Sequence, residues 1–396
     1  MFDDALTALR RDLHRIPEAG LRLPRTQARV LAALEPLGLE VSTGRQLDSV
    51  VAVLRGRAPA DGERRVVLLR ADMDALPIEE LSGEDFASTN GAMYACGHDL
   101  HMAMLVGAAQ LLAQQVDELP GDVVLMFQPG EEGDDGARLM LEEGVLEAAG
   151  RRPDAAFALH VWASTFARGS FATRPGTVMA ASDPLDVTLV GRGGHGSAPH
   201  LAKDPVPAMA ELITALQVLV ARNFDLFDPA LVTVGKVRAG QARNVIPDEA
   251  GFEATLRTFS PQARDRLFEL LPPLAEGIAA AHGLQTRVLL ERLYPVTVND
   301  EAQTRLAMDA VRALFGADRL VELEHSMTAS EDFSKVIEQV PGCFLLLGAC
   351  HVDLDPAQAP NNHSQFARYD DGVLPDGARL LAEMARRTLA GPAPQS

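Results

Sequence analysis

The chain has 396 residues, of which 55 are acidic and 36 are basic, so its formal net charge is −19. Such an acidic surface would repel phosphate groups, which argues against nucleic acid or anionic membranes as partners. The hydrophobic share of 47% is ordinary for a folded protein, and the length predicts two domains.

The amphipathic start of the chain lacks the pattern of a signal peptide, and no uncharged apolar run of about 18 residues occurs. We therefore expect no membrane-spanning helix. Three cysteines are too few for a disulfide scaffold and suit a reducing compartment. The expected location is the cytoplasm.

The first part of the chain alternates between helical and extended patterns. Helices are predicted over residues 4–14, 25–37, 100–119 and 137–146. Runs rich in apolar and β-branched residues predict strands over residues 49–56, 64–74, 122–127 and 154–162. This alternation predicts an α/β layer structure with a largely parallel sheet.

The order of predicted elements changes near residue 183. Strands and helices there follow the order β-α-β-β-α-β, over residues 183–193, 205–222, 230–240, 248–259, 261–282 and 284–294. This is the ferredoxin-like arrangement. After residue 298 the α/β pattern returns, with predicted elements at 301–315, 331–340, 343–347 and 374–389. We therefore predict a discontinuous α/β domain, 1–182 and 299–396, interrupted by an α+β domain, 183–298.

Residues able to bind metal follow several predicted strands. They occur in the turns RADMDALP, ACGHDLHMA and QPGEEGDDG, at the end of the strand AFALHVW, and in the late loop APNNHSQF. The carboxyl ends of strands in α/β sheets form ligand sites. If these turns converge, their carboxylates would repel one another unless a cation lies between them. Cysteine, histidine and carboxylate together favour Zn²⁺, with Mn²⁺ or Co²⁺ as options, over Ca²⁺ or Mg²⁺.

Each of these residues also has a structural explanation when considered alone. Glu131 and Glu132 could be a solvated helix start, His160 a buried hydrogen-bonded core residue, and Asp99 a helix N-cap. The metal-site hypothesis gains its weight because several separate turns carry residues of the same kind.

Seven segments in order resemble the M20 metallopeptidase family: LHRIPEAG, RADMDALPI, CGHDLHMAMLVGAA, QPGEEGDDGA, GRGGHGSAPH, ARNVIPDEA and SEDFS. The greater similarity is to its aminoacylase-like branch of N-acyl-L-amino acid amidohydrolases, which includes hippurate hydrolases and auxin-conjugate hydrolases. The resemblance extends from about residue 5 to about residue 390. It implies a zinc-peptidase-like α/β catalytic domain with an inserted ferredoxin-like α+β lid and dimerisation domain.

The resemblance also implies a role for individual residues. The implied metal ligands are Cys96, His98, Glu132, His160 and His363. Glu131 would be the general acid and base, and His195 would polarise the scissile carbonyl, often from the partner subunit. Asn244 and Arg257 would hold the substrate carboxylate, and Asp74 would orient a ligand without contacting the metal. Asp72 takes the place of a histidine ligand found in other branches, so we assign it no ligand role.

The implied activity is hydrolysis of the amide bond of an N-acyl amino acid by a metal-activated water. The implied cofactor is a divalent metal with two ions per subunit, Zn²⁺ or Mn²⁺, with Co²⁺ or Ni²⁺ as further options. A homodimer or higher homo-oligomer is implied. A dipeptidase or a deacetylase of a biosynthetic intermediate is an alternative on the same scaffold. A cysteine hydrolase using Cys96 with His98 or His101, and a non-catalytic binding protein, are alternatives of other classes.

Overall fold

The structure, a computed structural model, describes residues 2–60 and 62–391. The helices are α1 (Phe2–His14), α2 (Pro24–Leu34), α3 (His98–Gln114), α4 (Gly136–Glu142), α5 (Pro205–Asn223), α6 (Pro261–Ala281), α7 (Glu301–Phe315), α8 (Ser334–Ile337) and α9 (Leu374–Ala390). The strands are β1 (Glu40–Thr43), β2 (Val50–Arg55), β3 (Val66–Asp72), β4 (Asp122–Gln128), β5 (Ala155–Trp162), β6 (Phe171–Thr173), β7 (Gly176–Met179), β8 (Asp183–Val190), β9 (Gly194–His195), β10 (Ala230–Ala239), β11 (Val245–Ile246), β12 (Glu249–Thr258), β13 (Gln285–Leu290), β14 (Thr297–Asn299), β15 (Leu320–Glu322) and β16 (Gly342–Gly348).

The chain divides into two compact units. The first comprises Met1–Val178, Val298–His325 and Asp332–Ser396, and the second comprises Met179–Thr297 and Ser326–Glu331.

The first unit is built on a mixed sheet with the strand order β1-β2-β4-β3-β5-β16-β6-β15. Its four central strands, β4, β3, β5 and β16, are parallel and fully buried. The predicted parallel arrangement is found at the centre of the sheet, whereas at the flanks β1, β2 and β6 join in antiparallel pairs. The short loop between β1 and β2 explains their pairing, because a parallel connection needs a crossover of a dozen or more residues.

The parallel strands bring their carboxyl ends to one edge of the sheet. Asp72 ends β3, Gln128 ends β4 and Trp162 ends β5. Helix α3 begins beside this edge, directly after Gly97, whose φ is +83°. A Cβ atom on Gly97 would lie 2.3 Å from Val161 Cγ2, so only glycine fits this approach of helix to strand. The sheet edge and the start of α3 therefore lie next to each other.

One predicted helix is much shorter than expected. The helical pattern over 331–340 predicts about three turns, whereas α8 covers only Ser334–Ile337. The preceding Asp332 accepts hydrogen bonds from Arg70, Gln128 and the backbone N–H of Ala137. These bonds hold the segment before α8 as a loop.

The second unit has the predicted ferredoxin-like fold. Its antiparallel sheet has the order β10-β12-β8-β13, and α5 and α6 pack on it. A separate two-stranded antiparallel sheet of β9 and β11 pairs His195 with Val245.

Helix α5 is, among the described residues, the helix whose length and mean hydropathy of 1.2 would let it cross a membrane. It carries Glu211 and Arg222, which is why no uncharged run marks it in the sequence. Its Leu212, Leu216 and Leu219 are buried in the core of the second unit. This burial is what an amphipathic core helix of a ferredoxin-like domain shows.

Candidate metal centre

Five of the predicted residues converge at the carboxyl edge of the parallel strands in the first unit. Cys96 Sγ lies 3.4 Å from His160 Nε2 and 3.2 Å from His363 Nε2. Glu132 Oε1 lies 3.2 Å from His363 Nε2 and 4.0 Å from His98 Nε2. The loop before α3, the turn after β4, the end of β5 and the loop at 361–366 therefore share one neighbourhood.

The hydrogen bonds of two histidines leave a nitrogen of each facing this cluster. His98 Nδ1 donates to the backbone oxygen of Asp74 at 2.8 Å, and His98 Nε2 is buried with no hydrogen-bond partner. His160 Nδ1 donates to the backbone oxygen of Val161 at 2.8 Å, so its Nε2 points to Cys96. Metal-binding histidines usually donate their second nitrogen to such an oxygen. A buried nitrogen without a partner is costly, and a cation would satisfy it.

Asp74 fixes the turn that carries the two glutamates. It is fully buried, and its two carboxylate oxygens accept from the backbone N–H groups of Glu131 and Glu132, at 3.0 Å each. Its backbone oxygen also accepts from His98, so one residue orients both the turn and a ring.

The adjacent glutamates are placed differently. Glu132 faces Cys96 and His363, and one atom of each lies within 4.8 Å of the others. Glu131 is 7% exposed, and one of its oxygens lies within 4.8 Å of donor atoms of His98 and Glu132. The donor set of thiol, imidazole and carboxylate fits a divalent metal ion, with Glu131 beside it.

The electrostatics of the histidines reflect their neighbours. Burial and the nearby His101 lower the pKa of His160 well below its ordinary value. Burial disfavours the charged ring of His98, but the charge of Asp72 and the hydrogen bond to Asp74, with a contribution from Cys96, together outweigh burial and raise the pKa of His98 well above the ordinary value. Hydrogen bonds to Cys96 and Glu132 raise the pKa of His363 to about 10. Because the pKa values of His98 and His363 are raised, a metal ion that binds these two rings would have to compete with protons.

Two residues near the cluster had no role in the predicted metal site, although His101 was named as a possible base of a cysteine hydrolase. Asn362 accepts from the backbone N–H of Ala163 at 2.8 Å and donates to the backbone oxygen of Val161 at 3.0 Å. His101 uses both ring nitrogens in hydrogen bonds. The only feature of the sequence that points to Asn362 and His101 is that each lies close in the chain to a predicted ligand, Asn362 directly before His363 and His101 three residues after His98. Asp99, an N-cap candidate in the sequence, instead pairs with Arg10 and His14.

The predicted substrate-binding residues lie in the second unit. His195 is exposed on β9, and the backbone N–H of Gly196 donates to the backbone oxygen of Asn244 at 2.8 Å, so His195 and Asn244 lie beside the same two-stranded sheet. Arg257 lies near the far end of β12, roughly 25 Å of extended strand beyond this small sheet. Its Nη1 is buried without a hydrogen-bond partner, and burial lowers the pKa of its guanidinium.

An α/β sheet whose strand ends bring cysteine, histidine and paired glutamates together defines a metal-dependent hydrolase. The chain belongs to peptidase family M20/M25/M40, whose family model matches residues 68–387. The expected family and enzyme class are thereby confirmed.

Similar proteins cover almost the whole chain. The N-acetyl-L-cysteine deacetylase of Bacillus subtilis is 38% identical over 389 residues, covering 98% of this chain and 89% of that protein. Thermostable carboxypeptidase 2 of Saccharolobus solfataricus is 35% identical over 389 residues, covering 97% and 95%. A solved structure from Bacillus subtilis, described as a dinuclear metal binding peptidase from the M20 family, is 33% identical with a TM-score of 0.82, covering 98% of both chains.

Proposed function

We propose that the protein hydrolyses the amide bond of N-acyl amino acids, with Glu131 as general acid and base. The observation that carries this proposal is the turn held by Asp74, which directs Glu132 to the cysteine and histidine donors and leaves Glu131 beside them. The name of the Bacillus subtilis deacetylase supports an N-acyl amino acid as the substrate class.

We propose that Cys96, His98, Glu132, His160 and His363 hold two divalent ions, Zn²⁺ or Mn²⁺, with Co²⁺ or Ni²⁺ as options. A bound ion supplies a Lewis acid that polarises the amide and acidifies water. Glu131 accepts a proton from the attacking water as the C–O bond forms. It then delivers that proton to the nitrogen as the C–N bond breaks, a role typically worth about 10²- to 10⁴-fold in rate.

Residues of the second unit would bind the substrate. The backbone N–H of Ser197 donates to His195 Nδ1 at 3.1 Å, so the neutral ring carries its proton on Nε2. This proton could stabilise negative charge on the carbonyl oxygen. Asn244 and Arg257 are our candidates for the substrate carboxylate, and the buried, unpaired Nη1 of Arg257 supports an anionic partner. Because roughly 25 Å of strand separates them within one subunit, both would contact the same carboxylate only if they come from two subunits of the proposed homo-oligomer. We also propose a cytoplasmic homodimer or higher homo-oligomer, on the cysteine content and the resemblance.

A peptidase is the second candidate, favoured by the carboxypeptidase relative from Saccharolobus solfataricus. A cysteine hydrolase is less suitable, because it gives no role to Glu132 and His363, which lie 3.2 Å apart beside Cys96. A non-catalytic binding protein has no need of Glu131.

The test is a turnover panel of N-acetyl amino acids, N-benzoyl amino acids and dipeptides, with metal analysis of the same sample. We expect turnover of the N-acyl amino acids. Turnover of dipeptides alone would replace the proposal by a peptidase. Turnover that survives complete metal removal but stops on alkylation of Cys96 would favour the cysteine hydrolase.

A further inference from the structure

The backbone of Val161 takes part in three hydrogen bonds beside the metal centre. Its oxygen accepts from His160 Nδ1 at 2.8 Å and from Asn362 Nδ2 at 3.0 Å. Its N–H, which belongs to the preceding peptide group, donates to His101 Nε2 at 2.8 Å. The two successive peptide groups on either side of the Val161 Cα atom therefore link His101 to His160, whose Nε2 faces Cys96.

The tautomer of His101 follows from its two partners. Because Nε2 accepts from the N–H of Val161, the ring proton lies on Nδ1, which donates to Asp72 Oδ1 at 2.5 Å. Both nitrogens are occupied and the residue is 2% exposed. In this arrangement His101 has no free nitrogen for a metal or a substrate, although one of its nitrogens lies within 4.8 Å of donor atoms of Asp72, His98 and His160.

The ring of His101 also fills the space between two candidate ligands. It stacks on the ring of His98 with centroids 5.3 Å apart, and it meets the ring of His160 edge-on at 4.5 Å. A change at this position would loosen both rings at once.

Asp72 is held on its other side by a buried arginine. Arg70 Nη1 donates to Asp72 Oδ2 at 2.6 Å, Nη2 donates to Asp332 at 2.9 Å, and Nε donates to Gln128 at 2.9 Å. Each of these side chains is at most 3% exposed. Asp72 thus has a fixed position, with one oxygen for Arg70 and the other for His101.

We propose that His101, fixed by Asp72, is a positioning residue that sets the affinity of the metal centre through the backbone of Val161 and through its ring contacts with His98 and His160. This inference rests on the proposed metal site, but it assigns a role to two residues that bind no metal themselves. Through Asp72 and His101, the buried Arg70 helps to fix the orientation of the His160 ring.

The chain offers a direct reporter of metal binding. Trp162 is its only tryptophan, and its ring centroid lies 5.7 Å from that of His160. Titration of the metal-free enzyme with Co²⁺ should therefore quench tryptophan fluorescence without any need for substrate.

The informative variants are His101→Phe, His101→Gln and Asp72→Asn. Phenylalanine keeps a ring but removes both hydrogen bonds, and we expect Co²⁺ affinity to fall by about 10- to 100-fold, as for other partners of metal-binding histidines. Glutamine can still accept from the N–H of Val161, so His101→Gln should recover part of the lost affinity.

Asp72→Asn gives an independent test if His101→Phe does not fold. The side-chain NH₂ group of the new asparagine must face either Arg70, which is itself a donor, or His101 Nδ1. In the second case the ring must carry its proton on Nε2, against the N–H of Val161. Either orientation breaks one of the hydrogen bonds that connect Arg70, residue 72, His101 and Val161, so Co²⁺ affinity should again fall.

Leu34→Ala is the control, because Leu34 is buried in the same core and its truncation lowers stability without touching these hydrogen bonds. It should bind Co²⁺ as the unmodified enzyme does. Unchanged affinity in His101→Phe and Asp72→Asn, or no recovery in His101→Gln, would overturn the positioning role. Failure of the unmodified enzyme to bind Co²⁺ would instead overturn the proposed metal site.

Discussion

Replacement of Asp74 by asparagine tests how the site is held, because it changes hydrogen bonding at almost constant volume. Both carboxylate oxygens accept from backbone N–H groups, those of Glu131 and Glu132, at 3.0 Å. Asparagine offers one oxygen and one NH₂ group, so one backbone N–H would face another donor. The bond from His98 to the backbone oxygen of residue 74 does not depend on the side chain.

The expected magnitude follows from one lost bond to a charged acceptor. Such a bond contributes about 1.5 to 3 kcal/mol when its partner is buried, so the free energy of unfolding of the metal-free enzyme should fall by about that amount. Because the turn also carries Glu132, metal affinity should fall by about 10- to 100-fold. The loss of affinity should accompany the loss of stability.

Urea unfolding and Co²⁺ titration of the same metal-free samples would measure both quantities. Asp154→Asn is a matched control, since Asp154 Oδ2 accepts from the backbone N–H of Val66 at 2.8 Å, at the opposite end of β3. It should lower stability and leave metal affinity unchanged. Co²⁺ affinity in Asp74→Asn equal to that of the unmodified enzyme would refute the reasoning.

Three further predictions address catalysis, the metal and pH. Glu131→Gln should retain its metal while kcat falls by at least about 10²-fold, and full activity would exclude Glu131 as the general base. EDTA should abolish turnover, and Zn²⁺, Mn²⁺ or Co²⁺ should restore it, whereas undiminished turnover after thorough chelation would exclude a metal-dependent reaction. Burial opposes the charge of His14 and Arg10 adds repulsion, but Asp99 and Glu80 raise its pKa, at ring-to-carboxylate distances of 2.8 and 3.0 Å. A raised folded-state pKa stabilises the protein fully below the unfolded value of about 6.5 and loses this effect as pH rises through the folded value. The difference in unfolding free energy between the unmodified protein and His14→Gln should therefore shrink above about pH 6.5, and a constant difference would contradict a charged His14.

The periodicity of the sequence predicted the longer elements well. In the second unit the apolar residues recur with helical or alternating spacing, and the ferredoxin-like order is confirmed. The short strands β1, β6 and β15 were not predicted, because three or four residues carry too little pattern. In β1 all four residues are exposed, so only the pairing with β2 defines it.

The candidate site was predictable because ligand-type residues follow several strands. The resemblance excluded Asp72 and Asp74 from the ligands, but residue chemistry alone does not explain why, and it leaves His101 suitable as a ligand. The structure supplies the hydrogen-bond partners: Arg70 and His101 for Asp72, and Val161 for His101. Apart from Arg70, which lies two residues from Asp72, these partners are distant along the chain.

The sequence by itself determined that ligand-type residues follow several strands. Because parallel strands bring their carboxyl ends to one edge of the sheet, this was enough to predict that these residues meet. Only the tertiary structure decided which nitrogen of His98 faces the centre and which ring holds the backbone beside His160. Each choice depends on a group far along the chain, the backbone oxygen of Asp74 for His98 and the ring of His101 for Val161, and no local pattern in the chain encodes it.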